Sequence, residues 1–404
     1  MATSAVVIGG GISGVLVARA LRLAGIEVTV LEGMHLGAGS SSRTAAGIRQ
    51  QFSTVSTVQG MRHSVASYLE LAEEVGQRVL EQRGYLFLLE DDEALAAARD
   101  RVALQHRAGL AEVELLDRAA LADRFPAVDT AALAGATWCP TDGFLHPEVV
   151  YQEGARRVRE LGGRVVVRAP VQAAEVAGDR IVAVQTPQGR FAADVFLDCT
   201  NAWTDQLAPV LGATDLPVAP LKRHLWFVRR AGGMTGEELM GLPMIVSPSG
   251  VYGRPENPDL LLMGWAHGGD PQPDFTPEDQ DRVAPGHAHD AGIDAVPFEA
   301  WARLAEVVPA IGAFDGVVAT TSGFYGVTPD HNPFLAYDPL RSNLIRLVGF
   351  SGHGAMFGPF TAAVGTALVQ AGRDLPWVDL PTGRVDLGDF AIGRSFRAPE
   401  AMVI

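Results

Sequence analysis

The stretch AVVIGGGISG, at residues 5–14 of the 404-residue chain, decides the fold. Its apolar half, Ala5 to Ile8, predicts a short buried strand, and the residues from Gly14 to Ala24 predict a helix with one apolar face. Gly25 favours a left-handed stop for that helix, and the β-branched, apolar run from Ile26 to Leu31 predicts a second strand. The chain therefore opens with a strand–helix–strand unit of the kind that binds dinucleotides.

The glycines between the first strand and the helix satisfy the pattern GxGxxG. The first glycine allows a tight turn, the second lets the backbone approach a pyrophosphate, and the third lets the helix pack on the strand. The N-terminus of the helix offers N–H groups to the phosphates, and a carboxylate at the end of the second strand accepts hydrogen bonds from ribose hydroxyls. The motif alone does not distinguish FAD from a nicotinamide dinucleotide. The predicted contacts are Gly9, Gly11, Ile12, Ser13, Gly14 and Glu32.

Charge and composition exclude several classes of binding partner and site. A net charge of -15 and an isoelectric point near 5.1 disfavour binding to nucleic acid or to anionic membranes. The two cysteines, Cys139 and Cys199, form no CxxC motif, so neither a disulfide framework nor a zinc site is expected. No apolar run reaches transmembrane length, and the apolar N-terminus lacks the basic start of a signal peptide. The sequence therefore predicts a cytoplasmic protein without membrane insertion.

Two glycine-rich segments are suited to holding a flavin. The first, GAGSSSRTAAGIRQQF at residues 37–52, combines hydroxyl groups and an arginine, which bind phosphate and ribityl oxygens, with small residues that let the backbone lie against a flat ring. The second, GFSGHGAMFGP at residues 349–359, leads into a helix predicted from Pro359 to Gln370, whose N-terminus would stabilise negative charge on a reduced flavin. Taken singly, the segments are also compatible with a polar surface loop and an ordinary helix-capping turn. The predicted contacts are Ser41, Ser42, Arg43, Thr44, Ala46, Gly47, Gly352, His353, Gly354, Ala355 and Met356.

Three further segments complete an ordered set: PTDG at 140–143, FLDCTNAWTDQL at 196–207 and GFYGVTPDHNP at 323–333. Together with the glycine motif and the two flavin segments, they cover nearly the whole chain. The set resembles the D-amino-acid oxidase/sarcosine oxidase family of flavoproteins, also called the DAO family. The piece GIRQQF is most similar to the branch of the sarcosine oxidase β-subunit and proline dehydrogenase-like proteins.

The resemblance implies an α/β fold with two domains. A Rossmann-like FAD-binding domain of the glutathione-reductase type is expected from discontinuous segments, namely residues 1–85, 145–216 and 321–404. An α+β substrate-binding domain with a mainly antiparallel sheet is expected from residues 86–144 and 217–320.

The resemblance also implies oxidation of a C–N bond in an amino acid or in a secondary or N-methyl amine. Hydride would pass from the carbon next to nitrogen to flavin N5, giving an imine, while the protein supplies orientation and electrostatics. Oxygen or another acceptor would take the electrons, and a homo-oligomer or additional subunits stay open. Three alternatives also stay open: oxidation of a 2-hydroxy acid, a flavoprotein subunit or assembly partner with little catalysis of its own, and a nicotinamide-dependent dehydrogenase.

Four positions depart from the family pattern. Covalent members attach the flavin through residues that align with Thr44 and Gly323, neither of which can form the link, so noncovalent FAD is expected. Sarcosine oxidases place lysines where this chain has Leu262 and Met356. The loss of both positive charges argues against a fast reaction with oxygen and against a simple glycine-like substrate, and favours a dehydrogenase or a specialised amine oxidase.

Arg49, Tyr325 and His353 are the candidate catalytic residues. Arg49 would clamp a substrate carboxylate, although a surface salt bridge also explains an arginine there. Tyr325 matches an aromatic position that faces the flavin in relatives, with core packing as the alternative. His353 is expected to contact the flavin through its backbone more than to act through its ring. The resemblance further implies cofactor contacts at Val171, Thr200, Asn201 and Trp203.

The predicted substrate domain holds three further candidates for the pocket, each with a structural or solvated role as the alternative: His224, Arg254 and His267. His287 and His289 have the spacing of metal ligands, but no third ligand is evident, so no metal site is expected. They lie in the Gly-, Pro- and Asp-rich stretch 268–292, which is expected to be an exposed loop or a lid.

Overall fold

The computed structural model describes residues 3–266, 277–284, 286–288, 295–396 and 399–402. Its strands, in chain order, are β1 Ser4–Ile8, β2 Glu27–Leu31, β3 Gly47–Ile48, β4 Leu80–Glu81, β5 Tyr85–Leu89, β6 Glu114–Asp117, β7 Gly135–Cys139, β8 Gly143–Leu145, β9 Arg164–Val166, β10 Ala173–Ala177, β11 Arg180–Thr186, β12 Gly189–Ala192, β13 Val195–Asp198, β14 Ala219–Ala231, β15 Met244–Val246, β16 Val251–Asn257, β17 Leu260–Trp265, β18 Ala313–Val327, β19 Phe334–Asp338, β20 Arg341–Val348, β21 Trp377–Leu380 and β22 Gly383–Asp386.

The α-helices of the described residues are α1 Ile12–Leu23, α2 Val55–Val75, α3 Asp92–Arg107, α4 Arg118–Arg124, α5 Pro147–Glu160, α6 Thr204–Leu211, α7 Gly236–Met240, α8 Val296–Val307 and α9 Gly354–Ala371. Short 3₁₀ turns occur at Ser40–Ser42, Asn201–Trp203, Pro277–Asp281, Pro309–Ile311 and Gly388–Phe390.

The first sheet contains six strands in the order β19-β20-β13-β1-β2-β9. β1 pairs in parallel with β2 and β13, and β13 pairs in parallel with β20, so the carboxyl ends of these strands meet at one edge. β19 is antiparallel to β20 and closes one side of the sheet. Ligands of such sheets bind beyond the carboxyl edge, which is where the turn between β1 and α1 lies.

Successive residues of β1 face opposite sides of this sheet. Ala5 and Val7 pack in one core with α1, α2, α5 and α9, whereas Val6 and Ile8 pack on the other side against α6 and the antiparallel β10–β12 sheet. Helices therefore cover one face of the parallel sheet and a three-stranded sheet covers most of the other. This is the Rossmann-like arrangement expected from the sequence.

Two predicted helices have different limits in the structure. The sequence predicts helix over residues 55–84, but α2 ends at Val75 because Gly76 adopts a left-handed conformation with φ 65°. The helix predicted to begin at Pro359 begins instead at Gly354, so that the proline lies inside α9.

A tertiary hydrogen bond explains how α9 continues through its proline. Pro359 has no N–H, and the carbonyl of Ala355 therefore loses its helical partner. The hydroxyl of Tyr68, on α2, donates to that carbonyl at 2.5 Å. The helix can thus extend past the proline to Gly354, where its N-terminus reaches the carboxyl edge of the sheet.

The second sheet contains eight strands in the order β18-β14-β17-β16-β15-β5-β7-β6. Its pairs are antiparallel, except that β15 runs parallel to β5, and the mainly antiparallel sheet expected from the sequence is thereby confirmed. One face packs against α8. The other face carries a group of buried side chains that we call the pocket-side cluster: Tyr85, Phe87, Leu225, Met244, Val246, Tyr252 and Leu262.

The predicted domain boundaries stay a prediction. The strands of the first sheet fall in the segments assigned to the FAD-binding domain, while the boundaries after residues 85 and 320 fall inside β5 and β18. No helix in the described part of the chain is both long enough and apolar enough to cross a membrane. Cys139 and Cys199 are buried free thiols.

A buried ion cluster joins β13, β19 and β20. The Arg346 guanidinium donates from Nε to Asp198 at 3.1 Å and from Nη1 to Asp338 at 2.9 Å, and all three side chains are at most 1% exposed. Asp198 also accepts from the hydroxyls of Thr204 at 2.5 Å and Thr200 at 2.6 Å. The cluster therefore fixes the loop that leaves β13 at the carboxyl edge.

Removal of the Arg346 cation leaves two buried carboxylates unpaired. We expect Arg346→Met to lower the free energy of unfolding by about 3–5 kcal/mol, measured by urea denaturation. Arg384→Met is the matched control, because Arg384 and Asp379 form an exposed ion pair with side-chain exposures of 60% and 68%, worth less than about 1 kcal/mol. An effect of Arg346→Met no larger than that of the control would show that the cluster does not stabilise the fold.

Candidate functional site

A cavity of about 790 Å³ lies at the carboxyl edge of the parallel sheet. Its volume is within the range of roughly 300–1,000 Å³ that is typical of cofactor sites. Its walls come from the turn between β1 and α1, the end of β2, the loop after β13, and the N-terminus of α9. Residues 38–41, 43–44 and 323–325 complete it on the side of the second sheet. Most of the segments singled out in the sequence are thereby brought together.

The glycine turn is shaped by close backbone contact. A Cβ added to Gly14 would lie 2.0 Å from the carbonyl oxygen of Gly9, so only glycine lets α1 lie this close to β1. The hydroxyl of Ser41 accepts from the N–H of Ile12 at 3.0 Å, at the start of α1. A helix N-terminus with a hydroxyl beside it and glycine backbone around it fits a pyrophosphate.

Glu32 lines the cavity at the end of β2. Its carboxylate accepts from the N–H of Gly10 at 2.7 Å and from the N–H of Met34 at 2.8 Å. Burial raises the pKa of Glu32, and the two N–H groups oppose that rise. The carboxylate is thus fixed next to the glycine turn, in the place that a ribose contact requires.

The turn before α9 is fixed by Asn201. The side-chain oxygen of Asn201 accepts from the N–H groups of Gly349 at 3.0 Å and Phe350 at 3.1 Å. Gly352 has φ 91°, and a Cβ there would lie 2.6 Å from the ring of Tyr325. The turn therefore packs directly on Tyr325, and the N-terminal end of α9 faces the cavity, where its amides favour negative charge.

Arg43 holds a segment that sequence reasoning did not place at the site. Its guanidinium donates to the carbonyls of Ala38 and Gly39 and, at 2.6 Å, to the carboxylate of Asp281. Gln280 and Asp281 both line the cavity. Both residues belong to the Gly-, Pro- and Asp-rich stretch 268–292. No pattern in the sequence indicated that Asp281 contacts Arg43, which is 238 positions away.

A second chamber of about 40 Å³ shares Thr44, Tyr325, Gly352 and Ala355 with the large cavity. Arg49 lines it and is fully buried. The Arg49 guanidinium lies 4.1 Å from the centre of the Phe52 ring, and burial lowers the pKa of Arg49. A buried guanidinium beside a cofactor-sized cavity is suited to binding an anionic group.

The partners of Arg49 determine its orientation. Nη1 donates to the carbonyl of Gln51 at 2.8 Å, and Nη2 donates to the carbonyl of Met402 and contacts Nε2 of His353 at 3.1 Å. Because arginine can only donate, Nε2 of His353 must be the acceptor, and the ring is neutral. Burial, helped by the Arg49 charge, also holds the pKa of His353 well below 6.5.

Three tyrosines line the small chamber: Tyr85 and Tyr252, which are buried, and Tyr325, which is half-buried. Burial raises the pKa of each, so all three hydroxyls stay protonated at neutral pH. The hydroxyls of Tyr252 and Tyr325 are hydrogen-bonded to each other. Tyr325 was predicted from the sequence, whereas Tyr85 and Tyr252 were not. No local motif marks these two residues, because the pairing of strands in the second sheet brings β5 and β16 to the small chamber.

Most predicted site residues line one of the two cavities. The residues on the large cavity are Gly9, Gly11, Ile12, Ser13, Glu32, Ser41, Arg43, Thr44, Val171, Thr200, Asn201, Trp203, Tyr325, Gly352, Gly354 and Ala355, and the small chamber adds Gly47, Arg49, His353 and Met356. Gly14, Ser42 and Ala46 line neither. Gly14 acts through the packing of α1, and the Ser42 hydroxyl accepts from Arg43 at 3.0 Å.

Two predicted pocket residues lie elsewhere. His224 stacks on His287 with ring centres 4.0 Å apart, and its Nε2 accepts from the N–H of Ala284. Arg254 donates to the carbonyl of Ala45 at 3.0 Å and pairs with Glu256 at 2.7 Å. Neither side chain lines either cavity, since both are held by these partners.

The remaining histidines belong to two predictions: His267 is a candidate for the substrate pocket, and His287 and His289 are the pair with the spacing of metal ligands. His267 and His289 fall outside the described residues, whereas His287 packs against Trp226 as well as His224. Within the part of the chain that the structure describes, no group of three or more His, Cys, Asp or Glu could hold a metal ion.

Comparison with known proteins agrees with this geometry. A family model described as "FAD dependent oxidoreductase" (DAO) matches residues 4–368. "FAD-dependent oxidoreductase domain-containing protein 1" of Bos taurus is 26% identical over 90% of this chain and 80% of its own length. "Peroxisomal sarcosine oxidase" of Homo sapiens is 25% identical over 96% of this chain and 95% of its own length. The crystal structure of L-proline dehydrogenase from P. horikoshii superimposes with a TM-score of 0.81 at 28% identity, covering 94% of this chain and 95% of that one.

A methyl group at Gly14 tests the placement of the dinucleotide. We expect Gly14→Ala to yield protein without bound FAD, because the Cβ clash with Gly9 pushes α1 off β1. Absorbance of bound flavin after desalting is the measurement. Gly178→Ala is the control: it adds the same methyl at a left-handed surface turn with open space around it, which costs about 1 kcal/mol and should leave the flavin content unchanged. Full flavin content in Gly14→Ala would contradict the placement.

Proposed function

Because the chain belongs to the DAO family of FAD-dependent oxidoreductases, we propose that it oxidises the C–N bond of an amino acid or N-alkyl amino acid whose carboxylate binds Arg49. Bound FAD supplies the hydride acceptor, N5 of its ring. The residues that would hold the cofactor are those of the large cavity, led by the glycine turn, Glu32 and the turn before α9. Thr44 and Gly323 offer no group for a covalent link, so the cofactor is held noncovalently.

The observation that carries the proposal is the position of Arg49. Its guanidinium is completely buried, keeps a positive charge at any physiological pH, and lies in a chamber that shares four residues with the cofactor cavity. A planar fork of donors binds a carboxylate with two parallel hydrogen bonds. A substrate held in this way has its α-carbon directed towards the walls that the two cavities share.

The other chamber residues position the substrate without acting as bases. The tyrosine hydroxyls stay protonated because burial raises their pKa values, and the His353 ring uses its free lone pair on Arg49. The substrate amine must therefore enter neutral, or release its proton to solvent on binding.

Two positions bear on the electron acceptor. Met356 and Leu262 are buried and uncharged where sarcosine oxidases place lysines, and the lysine that falls near Leu262 is the one that activates oxygen there. We therefore propose an acceptor other than oxygen, and a dehydrogenase as the form of the enzyme. The names of similar proteins include both oxidases and dehydrogenases, so this choice depends on the two side chains alone.

The direct experiment is an anaerobic screen in which substrates bleach the flavin of the purified holoprotein. Cyclic imino acids, N-methyl amino acids and D-amino acids are compared with the amines that lack their carboxylates and with 2-hydroxy acids. Bleaching by the carboxylate-bearing amines alone supports the proposal. Bleaching by 2-hydroxy acids alone would assign the chain to C–O oxidation, and no bleaching by any compound would favour a subunit without catalysis of its own.

Arg49 should act mainly on substrate binding. We expect Arg49→Met to raise KM for an amino acid substrate roughly 10- to 150-fold, the equivalent of about 1.5–3 kcal/mol for a charged hydrogen bond. Steady-state kinetics with an artificial acceptor measures it. Arg303→Met, on an exposed helical ion pair, is the control and should leave KM unchanged. If Arg49→Met changes KM no more than the control does, the carboxylate binds elsewhere.

His353 should position Arg49 and not titrate during catalysis. His353→Leu removes the acceptor and should raise KM about tenfold, whereas His353→Gln keeps an acceptor and should restore most of the affinity. The pH profile of kcat/KM between 6.5 and 9 should be the same for wild type and His353→Gln, because the lowered pKa keeps the ring neutral there. The protonated ring is disfavoured in the folded state, so it weakens stability only as the pH falls below about 6.5. An ionisation near pH 7 that disappears in His353→Gln would contradict this role.

A further inference from the structure

A segment near the C-terminal end of the described residues, 399–402, lies next to Arg49. The carboxylate of Glu400, which is 1% exposed, accepts from the N–H of Ser53 at 2.8 Å and from its hydroxyl at 2.6 Å. The N–H of Glu400 donates to the carbonyl of Asp330 at 2.9 Å, and the N–H of Ala401 donates to the Ser53 hydroxyl at 2.9 Å. These bonds anchor the segment 399–402 at the edge of the small chamber.

Met402 reaches from this anchor into the chamber region in two ways. Its carbonyl accepts from Nη2 of Arg49. Its side chain packs against the pocket-side cluster, of which Tyr85 and Tyr252 also line the chamber. One residue thus presents an oxygen to the buried guanidinium and an unbranched apolar side chain to the aromatic and aliphatic residues of the second sheet.

The remaining space is too small for a substrate. The chamber volume of about 40 Å³ holds no more than a few water molecules. Nη1 of Arg49 is bound to Gln51, and Nη2 is shared between His353 and Met402. Nε has no partner among the described residues and Nη1 binds a single acceptor, so a two-pronged contact with a carboxylate lacks only an N–H of Nη2, which becomes free when the carbonyl of Met402 withdraws.

We propose that Met402 is an internal plug that imitates the substrate and is displaced when the substrate binds. The inference rests on the function proposed above. The carbonyl of Met402 stands where the substrate carboxylate binds, and its side chain stands where the substrate side chain binds. The substrate class is therefore an amino or N-alkyl amino acid with an unbranched apolar side chain, because a polar or charged one would lose its hydration against the pocket-side cluster.

The test uses the FAD-loaded protein and two unreactive carboxylates, acetate and hexanoate, with binding followed by the change in the flavin absorption spectrum. In a chain that ends at Glu400, both dissociation constants should fall at least tenfold, because the competing carbonyl is gone. In Met402→Ala the carbonyl stays and the side chain is lost, so hexanoate should gain affinity and acetate should not. Leu340→Ala, which truncates an apolar side chain that is 55% exposed in the turn between β19 and β20, is the control and should bind both as the wild type does.

If the truncated chain fails to fold, a second measurement on the wild-type protein tests the same proposal. Hydrogen exchange of the amides of Glu400, Ala401 and Met402 in the wild-type protein should accelerate when hexanoate saturates the site, since displacement breaks the anchoring bonds. Slower exchange would mean that the segment closes over the ligand as a wall, and would overturn the plug.

The two proposals fail in distinguishable ways. If both carboxylates bind through Arg49, as shown by loss of binding in Arg49→Met, yet bind equally or more weakly without residues 401–404, only the plug is wrong. If neither carboxylate binds to any variant, the carboxylate site is wrong and the proposed function fails with it.

Discussion

The contact between Gly14 and the carbonyl of Gly9 is the constraint on which the site depends. It lets α1 lie directly on β1, and the N-terminus of α1 then opens at the carboxyl edge of the parallel sheet. Ser41 and Glu32 bind to amides of the same turn, which makes the turn and its surroundings one rigid unit. The buried charges of Arg346 and its two aspartates extend that rigidity to the loop after β13 and, through Asn201, to the turn before α9.

The two large sheets meet at the carboxyl edge of the parallel sheet, and each contributes different groups to the cavities. The parallel sheet supplies the backbone turns that suit a dinucleotide, whereas the antiparallel sheet supplies side chains, chiefly tyrosines and apolar residues. Arg49 lies between them, on the segment that leaves the cofactor cavity. A cation buried here is costly unless it is paired, and the protein offsets that cost with three hydrogen-bond acceptors and the Phe52 ring. An anionic substrate that bound Arg49 would have to displace one of these acceptors, so the acceptors would compete with it for the guanidinium.

The sequence predicted those parts of the molecule that local chemistry determines. The glycine turn, α1, β2 and Glu32 follow from patterns within a few dozen residues, and they stand where expected. The start of α9 was mispredicted because the hydroxyl of Tyr68, far away in the chain, replaces the hydrogen bond that Pro359 removes. Tyr85, Tyr252 and Asp281 were missed for the same reason, since sheet pairing and a long-range ion pair bring them to the site. The contact of Arg49 with Met402 joins the two ends of the chain and has no local signature at all.

The binding of a substrate carboxylate by Arg49 beside the flavin is tested most directly by a crystal structure of the FAD-loaded protein with an unreactive α-carboxylate ligand. We expect the ligand's carboxylate within hydrogen-bonding distance of the Arg49 guanidinium, with its α-carbon facing the flavin ring in the cavity that Gly9, Glu32 and Ala355 line. A ligand carboxylate bound away from Arg49, or a flavin bound outside that cavity, would contradict this expectation.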